Sequence, residues 1–132
     1  MLPRNNYLNQ SLQAFEELNE VSDKQISDFF KFFAENLCNE NIKKEILKSN
    51  QKDIKIAKLE NKSTTRLELT EKYLQEMISG LTYWQKMDLK RNQVIRRIEN
   101  KGFDIEEIMS PFGVICFIFE ARPNVFTDAC GA

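Results

Sequence analysis

Apolar residues along the chain recur at helical spacing as far as about Asn92 and then change period. A short helix is predicted around Ser11 to Leu18. Ser22 with Gln25 forms a capping box, in which each side chain can bond the other residue's free backbone N–H. Behind it Ile26, Phe29, Phe30, Phe33 and Leu37 fall on one helical face, a core-facing stripe with Phe32 outside its centre. Ile42, Ile46 and Leu47 mark a further helical piece, which Asn50-Gln51-Lys52-Asp53 punctuates before Ile54 to Leu59. Thr70 is the expected N-cap of a helix that lines up Leu74, Met77, Ile78 and Leu81, with Glu71 near the positive end of its dipole. Gly80 inside that helix costs about 1 kcal/mol against alanine, so close packing is expected there.

Beyond Asn92 the alternation becomes that of strands. Val94, Ile95 and Ile98 among charged residues, the turn Glu99-Asn100-Lys101-Gly102, and Phe103 and Ile105 alternating with Asp104 and Glu106 predict a β-hairpin. An isolated pair of strands is marginal in water, so this ribbon calls for a partner. After the break at Ser110-Pro111 comes Gly113 to Phe119, an unbroken apolar run with Cys116 inside it, ended by the polar turn Glu120-Ala121-Arg122-Pro123-Asn124. That pattern predicts a buried strand feeding an active-site loop. A strand apolar on both faces needs cover on both sides, as in the parallel sheets of α/β nucleotide-binding enzymes. No second parallel strand follows within the 132 residues, so the chain is expected to be the front part of a larger enzyme.

Composition narrows the classes. A chain that is 42% hydrophobic and 30% charged is ordinary for a globular protein with a real core. The formal net charge of -1 gives no general reason to expect nucleic acid or an anionic membrane as partner. There is no apolar run of the ~18 residues that a bilayer span requires, and Met1 to Asn6 lack the apolar core of a secretory signal. A cytoplasmic location is expected. Histidine is absent and the 3 cysteines, Cys38, Cys116 and Cys130, stand far apart. Common zinc spacings and Ser-His or Cys-His nucleophiles are thereby excluded within this chain, and no metal site is expected. Cys116 in the apolar run and Cys38 at a helix end are expected to be inert, and Cys130 in the small-residue tail to have packing partners.

On these motifs the chain resembles the N-terminal part of the γ-glutamyl phosphate reductases, members of the aldehyde dehydrogenase superfamily. The resemblance runs from about Ala14 to Ala132. It is strongest at Pro111-Phe112-Gly113-Val114-Ile115, Glu120-Ala121-Arg122-Pro123-Asn124-Val125 and Asp128-Ala129, and weaker at Ile46-Leu47 with Asn50-Gln51-Lys52-Asp53 and at Arg66-Leu67-Glu68-Leu69-Thr70. It implies an α/β fold with N-terminal helices over 1–91, a hairpin over 92–109 that aids homo-oligomerisation, and over 110–132 the first strand of a Rossmann-like dinucleotide-binding domain. It also implies a reaction, the NADPH-dependent reduction of L-glutamyl 5-phosphate to L-glutamate 5-semialdehyde with release of phosphate, in proline biosynthesis. The family's nucleophilic cysteine lies downstream of the Glu-Ala-Arg-Pro-Asn segment. None of the three cysteines here occupies its motif, so no catalytic residue is expected in this chain, which is expected to be inactive alone. The chain departs from the family at Asp88-Leu89-Lys90-Arg91-Asn92, where Asp-Pro and a glycine are usual, and in the acidic Glu106-Glu107 before Ser110.

The candidate binding residues for cofactor or substrate are Arg122, Asn124 and Glu120, which that topology puts at the carboxyl end of the strand, where open α/β sheets bind ligands. A guanidinium grips phosphate or carboxylate through paired hydrogen bonds, which recommends Arg122. Asn124 is placed to orient a polar group. Against this stands a structural alternative: Arg122 pairs with Glu120 or another carboxylate, Pro123 stiffens the turn, Asn124 bonds local backbone, and Glu120 is structural. For the whole chain the competing reading is a noncatalytic helical module that binds a protein partner through the hairpin. Nucleic-acid binding through Lys90, Arg91, Arg96 and Arg97 is the weakest alternative, since such residues in a chain of this net charge usually form a solvated face.

Overall fold

A computed structural model describes residues 4–131, with side chains from residue 6 onward. Of the Met1 to Asn6 start, which lacks the apolar core of a secretory signal, Met1 to Pro3 lie outside the described residues, as does Ala132. The chain forms α1 (Arg4–Asn19), α2 (Asp23–Cys38), α3 (Glu40–Leu59), α4 (Glu71–Lys86), β1 (Val94–Asn100), β2 (Phe103–Ile108) and α5 (Val125–Gly131). It is thus helix-rich with one antiparallel hairpin. Its contacts divide it into two units: α1 through Ser22 together with Asp88–Cys116, and Asp23–Met87 together with the chain from Phe117 on.

The second unit holds the core. Phe30, Ala34 and Leu37 of α2 bury against Leu74, Met77, Ile78 and Leu81 of α4, joined by Leu69 ahead of it. Leu81 is fully buried at 0% exposure, and burying a leucine of this kind contributes roughly 1.5–3 kcal/mol. The α2–α4 pairing is reinforced by Phe30 stacked on Trp84, ring centroids 6.4 Å apart, and by Ser27 Oγ donating to the Gln85 carbonyl at 2.9 Å. The Thr70 hydroxyl accepts from the Tyr73 N–H at 3.3 Å, so the predicted cap opens α4. The α2 stripe is narrower than the spacing predicts. Ile26 and Phe33 are half-buried and Phe29 lies exposed, because α4 covers only one side of the stripe.

Two further expectations change. The punctuation at Asn50–Asp53 does not break the helix, and α3 runs unbroken to Leu59. An asparagine weakens a helix by competing for nearby backbone, but the Asn50 amide is engaged elsewhere. Its Nδ2 donates to the Leu67 carbonyl and its Oδ1 accepts from the Leu69 N–H, both at 2.8 Å. At Gly80 an added Cβ would meet the Asp128 carboxylate at 3.7 Å, an ordinary contact, so packing there is less tight than the glycine suggests.

In the first unit, β1 and β2 pair antiparallel in the register Ile98↔Ile105 and Asn100↔Phe103, with a bulge between Val94 and Arg96. Gly102, at φ 97°, closes the turn in a conformation that side chains disfavour. Every residue of both strands is exposed. Since side chains alternate, Ile98, Phe103 and Ile105 share one face, and the Arg97–Glu106 ion pair holds the other. Arg91, just ahead of β1, donates to the carbonyl of Leu18 at 3.1 Å and to that of Val21. Leu18 stands in the last turn of α1, whose carbonyls have no intrahelical partners, and Val21 follows just beyond the helix.

The buried strand expected over Gly113 to Phe119 is not formed. Those residues run without strand pairing, and Cys116 is exposed with the apolar side chains around it. A strand is stabilised by ladder hydrogen bonds and cover on its faces, and among the described residues no third strand joins the two of the hairpin. The Rossmann-like sheet therefore has no counterpart in the described residues.

Candidate functional site

The polar turn Glu120 to Asn124 is held from its carboxyl side. The Arg122 carbonyl accepts from the Val125 N–H at 3.1 Å and the Pro123 carbonyl from the Phe126 N–H at 3.4 Å, so the turn runs directly into α5. Thr127, 1% exposed, donates its hydroxyl to the Asn124 carbonyl at 2.9 Å. The short helix is itself anchored. Phe126 meets Phe33 edge to face at 6.3 Å, and Gly131 lies so close to the Trp84 indole that a Cβ there would overlap the ring.

At the start of the turn Ala121 has φ 44°, in the left-handed region that a residue bearing Cβ enters at a cost of roughly 1–2 kcal/mol. Glu120 and Arg122, on either side of it, are both exposed. Among the described residues Arg122 has no ion-pair partner, Glu120 included. Its charge is available to a ligand. Asn124 is half-buried and, with Glu76, Met77, Thr127 and Asp128, lines a small cleft of about 150 Å³. Pro123 borders a second groove, of about 420 Å³, whose wall includes Asn50, Leu67 and Leu69. A cleft of about 460 Å³ lies elsewhere, between the amino-terminal turns of α3 and α4, and none of the candidate residues borders it. Its charges are mixed, and its Lys43 ammonium is already hydrogen-bonded to Glu40 at 2.9 Å.

Glu120, Arg122 and Asn124 thus share one turn, and among the described residues no ion pair joins their side chains. Arg122 faces solvent while Asn124 faces the cleft beside α4. None of the three cysteines lies in that turn: Cys38 ends α2, Cys116 lies in the unpaired run, and Cys130 sits on α5. Partial burial pushes the Cys130 thiol above its usual pKa, the opposite of what a nucleophile needs. Among the described residues no cluster of acidic or cysteine side chains could hold a metal ion, and no helix is long and apolar enough to cross a membrane. Periodicity did not reveal the parts of Asn50 and Thr127. The available signal for Asn50 was a polar residue on the face that Ile46 continues, and for Thr127 its position one helical turn after Asn124.

No family model and no solved structure matches the chain. Similar sequences are found among curated proteins named γ-glutamyl phosphate reductase. The one from Parabacteroides distasonis is 33% identical over 122 residues, 92% of this chain and 29% of that protein. The one from Clostridium beijerinckii is 34% identical over 119 residues, 87% of this chain and 28% of that protein. The one from Halothermothrix orenii is 37% identical over 93 residues, 67% of this chain and 22% of that protein. The chain therefore spans less than a third of the length of these relatives.

Proposed function

Because the chain belongs, over the residues matched, to the γ-glutamyl phosphate reductase family, we propose that it serves the reduction of L-glutamyl 5-phosphate to L-glutamate 5-semialdehyde with release of phosphate, in proline biosynthesis. The observation that carries this reading is sequence similarity extending over 92% of the chain. In this proposal the chain is not the whole catalyst. The nucleophilic thiol is none of Cys38, Cys116 and Cys130, and it comes from sequence beyond these 132 residues.

Arg122 is the residue we assign to the anionic end of the substrate. Its guanidinium is exposed and has no ion-pair partner among the described residues, on a turn whose backbone is held by α5, so it can offer paired donors to a phosphoryl or carboxylate group. Asn124, at the cleft beside α4, is assigned to orient a polar group of substrate or cofactor, and Glu120 to the rim of the same turn. NADPH is the cofactor in this proposal, and in a complete protein it would supply the reducing equivalents. The described residues do not by themselves form a dinucleotide crevice, since residues 113–119 pair with no parallel strand. The division into helical part (1–91), hairpin (92–109) and cofactor-domain start (110–132) belongs to the same proposal, as does a cytoplasmic location.

A second reading is favoured by one observation, the complete exposure of the hairpin with Ile98, Phe103 and Ile105 on one face. In it the hairpin carries an assembly contact, with a second copy or with a full-length reductase subunit. Both readings are tested in a bacterium that requires proline because its reductase gene is deleted. The chain is co-expressed with a reductase polypeptide lacking the corresponding segment. Growth without proline is expected only when both are present, and to be weakened by Arg122→Ala. Growth with the chain alone would overturn placement of the thiol outside it. Association of the two polypeptides without any growth or NADPH oxidation would favour the noncatalytic module.

A further inference from the structure

We draw no further inference here: the strongest candidate, the exposed apolar face of the β1–β2 hairpin formed by Ile98, Phe103 and Ile105, belongs to the assembly contact already proposed, and nothing in the structure shows what covers it.

Discussion

Asn50 does more for this molecule than its polarity suggests. At 6% exposure it bonds both the Leu67 carbonyl and the Leu69 N–H, tying together Asn50–Asp53 and Arg66–Thr70, two separate stretches of the family resemblance. Replacing it with leucine leaves the buried Leu69 N–H without a partner, at roughly 1–3 kcal/mol, and the part-buried Leu67 carbonyl, at about 1 kcal/mol. Asn50→Leu is expected to destabilise by about 2–4 kcal/mol, seen as a lower urea midpoint with unchanged slope. An unchanged midpoint would show that water replaces the amide. Cys130 offers a second test at this scale. Because burial raises its folded-state pKa, the folded state holds the thiol proton more tightly. The associated stability is present below the thiol's unfolded pKa and is lost as pH rises through the higher folded value. The alkylation rate of Cys130, followed by peptide mass spectrometry, is expected to climb at higher pH in the folded chain than in urea. Coincident profiles would contradict the burial.

At the scale of elements, α4 organises the second unit, and its two ends can be probed separately. Thr70→Ala removes the hydroxyl that accepts from the Tyr73 N–H and is expected to cost about 1 kcal/mol, whereas Thr70→Ser should retain most of the cap. Equal losses for both would mean that the threonine methyl, rather than the hydroxyl, carries the effect. Near the other end, α5 rests against the chain's 1 tryptophan. Gly131→Ala puts a Cβ into the Trp84 indole, so α5 must move away. The expected readout is a red shift of tryptophan emission and faster hydrogen exchange at residues 125–130. Unchanged emission would show that the indole yields instead. The hairpin needs no such docking to hold its register, because its turn glycine and the Arg97–Glu106 pair act within the ribbon.

For the whole molecule the distribution of the core is uneven. All buried side chains among the described residues lie in the second unit, from Phe30 to Leu81 and at Thr127, while α1 and the hairpin bury none. Local stability follows buried apolar contact. Amides of β1 and β2 are therefore expected to exchange well before those of α2 and α4, with the slowest protons near Leu74 to Leu81. Uniform protection across both units would refute this. Phe112 and Ile118, 97% and 95% exposed, leave apolar surface around the unpaired run. The chain by itself is expected to bind a hydrophobic dye such as ANS and to show limited solubility, and addition of a polypeptide that supplies parallel strands is expected to suppress the dye signal.

Local chemistry made much of this legible. Thr70 caps α4 and Gly102 turns the hairpin, because a cap and a turn depend on neighbours a few residues away, and the spacing of Leu74, Met77, Ile78 and Leu81 marks the face of α4 that is buried. The family likewise follows from residues in order. The loop Glu120–Asn124 was visible as a polar turn, but its anchoring by Thr127 and its left-handed Ala121 were not. Tertiary structure decided what depends on distant partners. It kept α3 continuous by engaging the Asn50 amide, left Phe29 uncovered, and left Gly113 to Phe119 unpaired despite an apolar sequence that favours a buried strand. The physical reason is the same in each case: a helix forms its hydrogen bonds within its own segment, whereas a strand, a buried amide or a core face is completed by groups that sequence spacing does not specify.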